Sequence, residues 1–125
     1  MTLGLDIDDT ITRHPGFFAL LSRAFVEAGH RVVIVTMRTD RERAAADLDR
    51  LGIAWTVLHT VPRALSAERY WRWKGEVCRA EGVDVFFDDS ADVLEHMPDA
   101  TVPFLALDLR RHPVHLLREF ADGEE

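Results

Sequence analysis

The sequence predicts an α/β protein, a doubly wound, Rossmann-like three-layer αβα sandwich around a mostly parallel five-stranded sheet. Three predicted helices end in a glycine directly before an apolar run, at Gly29, Gly52 and Gly82. This repeated alternation of helix and strand favours parallel strands with helices on both faces of the sheet. The chain has 125 residues, of which 47% are hydrophobic, and this size fits one domain over residues 1–125.

Apolar runs place the five strands. We expect them at about residues 2–7, 31–36, 53–58, 83–87 and 102–107. The second run is apolar at consecutive positions, which is typical of a parallel strand that is buried on both faces. In such sheets, ligand sites form beyond the carboxyl ends of the strands, near the point where the strand order reverses.

Helical spacing and end signals place the helices between these strands. The first is expected near residues 15–28, with an apolar stripe of Phe17, Leu20, Leu21, Ala24, Phe25 and Ala28. The second starts at a capping-box pattern of Thr39 and Glu42 and stops at Gly52. Further helices are predicted from Ser66 to about Ala80, near residues 91–96, and near residues 113–121 after Pro113.

Aromatic residues in the third predicted helix have different interpretations. Tyr70 and Trp73 are three positions apart, and Val77 follows one turn later, which predicts a stripe that faces the core. Trp71 lies off that stripe, and both substrate stacking and a subunit interface are open for it.

Composition limits the compartment and the partners. The chain has 22 acidic and 15 basic side chains, for a formal charge of -7, which argues against broad electrostatic binding to nucleic acid or membrane. Cys78 is the only cysteine, so neither an intrachain disulfide nor a cysteine-rich zinc site can form. A strand expected from residue 2 leaves no room for a signal peptide, and we therefore expect a cytoplasmic protein. The 14 arginines against one lysine favour a bacterial source.

Acidic residues cluster at the carboxyl ends of two of the predicted strands. Asp6, Asp8 and Asp9 lie at the end of the first strand, and Asp88 and Asp89 follow the fourth. Clustered carboxylates repel one another and are costly to remove from water, so such a cluster indicates a bound cation. A cation among carboxylates is typical of phosphate chemistry, in which Asp6 and Asp8 can divide nucleophilic attack and proton transfer between them.

Other residues provide groups that hold an anionic oxygen. Thr36 ends the second strand with a hydroxyl, and the backbone N–H groups of Met37 and Arg38 follow it into a helix. Lys74, the only lysine, offers a compact positive charge. The Arg38 side chain has two interpretations, contact with a substrate phosphate or a place on the helix surface.

Taken in order, these residues resemble the four motifs of the haloacid dehalogenase superfamily: Asp6-Ile7-Asp8-Asp9-Thr10, Thr36, Lys74, and the pair Asp88-Asp89. The resemblance spans residues 3 to about 92. It implies that Asp6 is the nucleophile, which forms an aspartyl-phosphate. It also implies that Asp8 is the general acid for the leaving group and then the general base for water.

The resemblance also implies a magnesium ion. Asp6, the main-chain carbonyl of Asp8, and Asp89 would ligate Mg2+. Thr36 and Lys74 would hold the phosphoryl oxygens together with the Met37 N–H, and Lys74 would also restrain Asp6. By the same resemblance, Thr10 and Asp88 would support the metal, its ligands or Lys74.

The sequence therefore predicts a Mg2+-dependent phosphatase that hydrolyses a phosphomonoester. Only 25 positions separate Thr10 from Val35, which leaves no room for the large cap domain that many members of the superfamily carry. A capless or minimally capped member is expected. Its phosphorylated substrate is either large, or is covered by a lid from residues 11–15, residues 60–65 or a neighbouring subunit.

Two alternatives to a general phosphatase stay open. The opening Gly4-Leu5-Asp6-Ile7-Asp8-Asp9-Thr10 resembles the deoxyribonucleotidase-like branch, which favours a nucleotidase-type member acting on (deoxy)nucleoside monophosphates. The second alternative is a catalytically silent domain that binds a phosphoryl group or has a regulatory role. A response-regulator receiver is not supported, since the third predicted strand does not end in an aspartate. Oligomerisation stays open, and neither a nucleic-acid-binding module nor a membrane partner is expected.

Overall fold

A five-stranded sheet runs through the part of the chain that the computed structural model describes, residues 1–110. Its strands are β1 Thr2–Leu5, β2 Arg31–Thr36, β3 Val57–Thr60, β4 Val85–Asp88 and β5 Val102–Leu105. All neighbouring pairs are parallel, in the order β3-β2-β1-β4-β5. The predicted fold class is confirmed. Because β2 and β4 pair with opposite sides of β1, the strand order reverses at β1.

Helices cover both faces of this sheet. In the described residues they are α1 Pro15–Glu27, α2 Arg41–Arg50, α3 Ala67–Tyr70, α4 Trp73–Glu81 and α5 Ala91–Leu94. One core cluster joins α1 and α2 to the sheet, and a second cluster joins α4 and α5 to the opposite face. The result is three layers, with the sheet in the middle.

Consecutive apolar residues in β2 supply both core clusters. Val32 and Ile34 belong to the cluster under α1 and α2, whereas Val33 and Val35 belong to the cluster with α4 and α5. All four are fully buried because successive side chains of a strand point to opposite faces. Burial of each such side chain stabilises the fold by roughly 1.5–3 kcal/mol.

The buried face of α1 differs in part from the predicted stripe, of which Leu21 and Phe25 do pack against the core. Phe17 and Leu20 are 55% and 72% exposed. The buried residues of the helix are Phe18, Ala19 and Ser22. Ser22 can lie inward because its hydroxyl donates to a carbonyl of the preceding turn and accepts the Ala54 N–H. A serine that is satisfied by backbone groups gives no signal in a pattern of apolar spacing.

The third strand begins at Val57, four residues later than predicted. Ile53 is buried, but its N–H donates to the Leu48 carbonyl at 3.0 Å and closes the end of α2. Ile53 therefore fills the core from a connecting segment and not from the sheet.

The start of α2 also differs from the predicted capping box. Asp40, and not Thr39, is the N-cap, and its carboxylate accepts the Arg43 N–H at 3.1 Å. A carboxylate at this position satisfies a free N–H of the first turn and lies at the positive end of the helix dipole. Glu42 lies in the first turn of the helix without being the reciprocal partner of Thr39.

The single helix predicted from Ser66 to about Ala80 is two helices, α3 and α4, separated at Trp71 and Arg72. Trp73 and Val77 are buried, as predicted. The placement of Tyr70 on the same core stripe was wrong, since Tyr70 is 45% exposed. The break between the two helices interrupts the helical spacing on which that prediction depended.

The connections between elements are short. Residues 6–14 join β1 to α1, and residues 61–66 join β3 to α3, so residues 1–110 contain no inserted cap domain. The helix predicted near residues 113–121 lies outside the described residues. Among the described helices, none combines the length and the apolar character needed to cross a membrane.

Close packing of α4 on the chain after α5 can be tested at Gly75. A Cβ atom there would collide with the backbone carbonyl oxygen of His96. We expect Gly75→Ala to lower the free energy of unfolding by about 1–3 kcal/mol in urea denaturation. Gly16→Ala in α1 is the matched control, because nothing lies within 4 Å of its Cβ position. That control should raise the free energy by about 0.5–1 kcal/mol; stabilisation by both substitutions would contradict the packing.

Candidate functional site

A cavity of about 260 Å3 lies at the carboxyl ends of β1 and β4. Leu5 of β1 pairs with Phe87 of β4, so the residues that follow the two strands are neighbours. The strand order reverses at this position, which is where open α/β sheets bind ligands. The charged residues that line the cavity are Asp6, Asp8, Asp9, Lys74, Asp88 and Asp89.

Asp6 directly follows β1, and both its backbone and its side chain are held. Its N–H donates to the Phe87 carbonyl at 3.1 Å. One carboxylate oxygen accepts from the Lys74 Nζ at 2.8 Å, and the other accepts from the Thr10 hydroxyl at 3.2 Å. The residue is only 5% exposed. The carboxylate is therefore fixed in position before any ligand binds.

The chain turns sharply after Asp6, through the segment Ile7–Ile11. Asp8 has an extended backbone, and Asp9 is left-handed with φ of 62°, a conformation that aspartate adopts more readily than most residues. The Asp9 N–H donates to the Thr12 hydroxyl at 2.9 Å and stabilises the turn. This turn buries Thr10 next to Asp6, while Asp8 stays exposed and still lines the cavity.

Lys74 is buried between two carboxylates. Its Nζ donates to Asp6 and to Asp88, each at 2.8 Å, and its side chain is 4% exposed. Burial alone would lower the pKa of Lys74, but the two carboxylates outweigh burial and raise this pKa above its ordinary value. The amine therefore keeps its positive charge inside the protein.

Asp88 and Asp89 complete an acidic triad with Asp6. Asp88 ends β4, is almost fully buried, and accepts the Ser90 N–H at 2.9 Å in addition to the Lys74 amine. Asp89 is half-buried. One carboxylate oxygen from each of the three residues lies within 4.8 Å of the others. This triad could hold a metal ion.

The charge and the ligand chemistry of the triad fit a divalent cation. With all three carboxylates ionised and Lys74 protonated, the group would carry two net negative charges. Burial, only partly offset by Lys74, raises the pKa of Asp6 to about 7. Burial and the nearby Asp88 also raise the pKa of Asp89. Carboxylate oxygens are ligands that Mg2+ prefers, and a bound cation would remove the repulsion that favours protonation.

Asp8 forms a separate, exposed ion pair with Arg38. The Nε and Nη2 atoms of Arg38 donate to the two Asp8 oxygens at 2.9 and 2.7 Å, and Nη1 donates to Asp47 at 2.7 Å. The hydrogen bonds from Arg38 lower the pKa of Asp8 against the opposing effect of burial. Asp6 and Asp8, two residues apart, therefore have pKa values shifted in opposite directions.

The residues at the carboxyl end of β2 are divided between the interior and the cavity. Thr36 is fully buried, does not line the cavity, and accepts the Arg38 N–H with its hydroxyl at 3.1 Å. That N–H, a candidate group for an anionic oxygen, is thus engaged within its own turn. Met37 does line the cavity.

Two residues at this edge were missed in the sequence. Asp47 holds Arg38 from α2, a contact that no motif spacing indicates. Tyr70 lines the cavity together with Trp71. No apolar spacing indicated this for Tyr70, because a position three residues before Trp73 fits a core stripe as long as the helix is continuous, and the structure breaks it at Trp71 and Arg72.

Two chains in solved structures of Pnkp1/Rnl/Hen1 complexes share this fold. One, from the Pnkp1/Rnl/Hen1 RNA repair complex, has a TM-score of 0.61 and 16% identity over 83% of this chain and 41% of that chain. The other, from a structure of the Pnkp1/Rnl/Hen1 complex, has a TM-score of 0.60 and 15% identity over 83% of this chain and 45% of that chain. This chain thus spans less than half of either neighbour, and the likeness shows the fold alone. No family model and no curated protein matches the chain.

The influence of Arg38 on Asp8 can be measured directly. Arg38→Met removes both hydrogen bonds to the Asp8 carboxylate, so the pKa of Asp8 should rise toward its ordinary value when followed by carboxyl carbon NMR. Asp47→Asn keeps those two bonds and is the control, with a much smaller rise. An Asp8 pKa that is unchanged in Arg38→Met would contradict the ion pair.

Protons and a divalent cation should compete for the triad. Because the pKa of Asp6 is about 7 without a cation, protons compete with Mg2+ below this pH. Mg2+ affinity should therefore increase by up to roughly tenfold for each unit by which the pH rises toward 7, and binding should release protons. Calorimetry in buffers of different ionisation enthalpy measures both quantities. The same raised pKa makes the free energy of unfolding of the cation-free protein fall as the pH rises from about 4 to about 7, because over this range the folded state binds the Asp6 proton more tightly than the unfolded state does. Asp6→Asn should remove most of both dependences, and a Mg2+ affinity that is independent of pH would contradict the prediction.

Proposed function

We propose that this chain is a Mg2+-dependent phosphatase of the haloacid dehalogenase type, which hydrolyses a phosphomonoester through an aspartyl-phosphate on Asp6. One observation carries the proposal: Asp6 is buried, oriented by Lys74 and Thr10, and part of a triad with Asp88 and Asp89. The resemblance of the motifs along the chain supports the same reaction, and membership of the superfamily is part of the proposal.

Asp6 is suited to nucleophilic attack because its carboxylate is already oriented. Hydrogen bonds from Lys74 and Thr10 restrict its rotation, which lowers the entropic cost of reaching the reactive geometry. In the first step, an Asp6 oxygen forms a bond to phosphorus while the bond from phosphorus to the leaving oxygen breaks. Asp6 has to be ionised for this attack, and its pKa of about 7 in the cation-free protein limits the ionised fraction at neutral pH.

Positive charge is needed because a carboxylate and a phosphate repel one another. Lys74 provides one fixed positive charge next to Asp6. Asp6, Asp89 and the main-chain carbonyl of Asp8 are the predicted ligands of Mg2+. Asp88, which was predicted only to support them, lies close enough to Asp6 and Asp89 to join the set. When bound, Mg2+ supplies the charge that offsets this repulsion and stabilises the transferring phosphoryl group.

Asp8 is the proposed general acid and base. It gives a proton to the leaving alkoxide in the first step. In the second step it takes a proton from water, whose oxygen attacks phosphorus and releases Asp6 and inorganic phosphate. Arg38 holds both Asp8 oxygens in the structure, so this ion pair has to open before Asp8 carries a proton. An anionic substrate offers the Arg38 guanidinium another partner.

The nucleophile can be tested with an artificial aryl phosphate as substrate. We expect Mg2+-dependent hydrolysis by the wild-type chain, and a loss of roughly 1,000-fold or more in kcat for Asp6→Asn with the fold retained. Asp8→Asn should lose roughly 100- to 10,000-fold, as expected for a general acid–base residue. Initial rates with and without chelator measure the activity, and circular dichroism measures the fold.

Asp49→Asn is the matched control, since Asp49 is an exposed aspartate on α2 whose carboxylate binds the Trp55 indole N–H. Its rate should equal that of the wild type. Full activity of Asp6→Asn would contradict the assigned nucleophile. A wild-type chain that binds phosphate and Mg2+ but hydrolyses no phosphomonoester would instead be a phosphoryl-binding domain without catalysis.

A further inference from the structure

We propose that Tyr70 and Trp71 form a stacking platform for the base of a nucleotide substrate. The inference rests on the proposed phosphatase function, because it assigns a substrate class to the same site. Both aromatic residues line the cavity that contains Asp6 and Lys74. Asp6 and Lys74 are buried and form the floor of the cavity, whereas the two aromatic rings are exposed and form its rim.

The two rings leave surface available to a ligand. Tyr70 is 45% exposed and Trp71 is 43% exposed. Their centroids are 4.9 Å apart and their planes are nearly perpendicular, at 88°. In this edge-to-face arrangement the rings support one another, while a planar group can still lie against the outer face of either.

Packing of the core does not explain these rings. α3 contains no buried residue, and the aromatic side chain that this part of the chain gives to the core is Trp73, which is 5% exposed. Exposed aromatic surface is costly in water, and adjacent exposed aromatic residues at a cavity are typical of ligand binding. Trp71 lies in the break between α3 and α4, and Tyr70 is the last residue of α3, so neither belongs to the helix that supplies Trp73 and Val77 to the core.

The size of the cavity determines which part of a substrate lies inside it. Its volume of about 260 Å3 is below the range of roughly 300–1,000 Å3 that is usual for whole small-molecule ligands. The phosphate end of a substrate therefore lies on the floor, and the rest extends over the rim. At the rim it meets two aromatic faces, on which a planar base stacks.

Stacking also suits the charge of this chain. With a formal charge of -7, the protein offers little general electrostatic attraction to a phosphate-bearing ligand. A stacked base adds affinity that does not depend on charge, because every nucleobase has a π face. The shared ligand chemistry is a phosphomonoester of a nucleoside, whether it is a free nucleotide or the terminal phosphate of an oligonucleotide.

The test compares two ligands that differ only in the base, a nucleoside 5′-monophosphate and ribose 5-phosphate. Dissociation constants are measured by calorimetry with Mg2+ on the full chain carrying Asp6→Asn, so the measurement does not require turnover. Adding Trp71→Ala or Tyr70→Ala should weaken binding of the nucleotide by roughly 5- to 100-fold. Binding of ribose 5-phosphate should stay unchanged.

Trp71→Phe is the matched control, because it keeps an aromatic face and should retain most of the affinity for the nucleotide. Equal binding of both ligands, or equal weakening of both by Trp71→Ala, would overturn the proposal. Failure of the proposed function has a different signature: the wild-type chain would hydrolyse neither ligand, while the preference for the base would persist in the binding data.

A third ligand separates the two sources of the nucleotide. A dinucleotide with one terminal phosphate is compared with the mononucleotide in the same assay. A difference in affinity between the two ligands that is lost in Trp71→Ala supports the platform. Tighter binding of the mononucleotide identifies a free nucleotide as the ligand, and tighter binding of the dinucleotide identifies a strand end. Binding of both that is insensitive to Trp71→Ala and Tyr70→Ala would overturn it.

Discussion

The buried ion pairs of Lys74 with Asp6 and Asp88 connect the fold to the candidate site. Lys74 donates to both carboxylates at 2.8 Å, and all three side chains are nearly inaccessible to solvent. Such pairs are costly to desolvate, and apolar side chains of similar size often stabilise a core equally well. Removal of one partner leaves an unpaired buried charge, which costs about 3–5 kcal/mol. Stability alone therefore does not explain this arrangement, whereas under the proposed function the same contacts orient the Asp6 carboxylate for attack.

The central part of the fold could be predicted because several local signals agree. Gly29, Gly52 and Gly82 all have positive φ, the conformation that ends a helix before the next strand. Consecutive apolar residues in β2 indicate a strand buried on both faces. Parallel strands that alternate with helices then place Asp6 and Asp88 at the same edge of the sheet. The proximity of these acids follows from chain topology and needs no knowledge of side-chain packing.

Other features could not be predicted because they depend on contacts between distant segments. Ile53 is as apolar as a strand residue, yet it closes the end of α2. Ser22 is polar, yet it lies in the core because Ala54 satisfies its hydroxyl. Arg38 joins Asp8 to Asp47, residues that follow different strands. In each case a partner from elsewhere in the chain decides the outcome, and apolar spacing along the sequence carries no information about that partner.

The opposite pKa shifts of Asp6 and Asp8 define a resting state of the proposed enzyme. A nucleophile has to be ionised and a general acid has to be protonated, but burial raises the pKa of Asp6 and Arg38 lowers that of Asp8. Catalysis by these two residues therefore requires both shifts to be reversed. A cation at the triad favours the ionised form of Asp6, and a phosphate that draws Arg38 away allows Asp8 to take up a proton. Both changes accompany binding of cation and substrate, so under the proposed function the ligands themselves would bring the two carboxyl groups into their reactive protonation states.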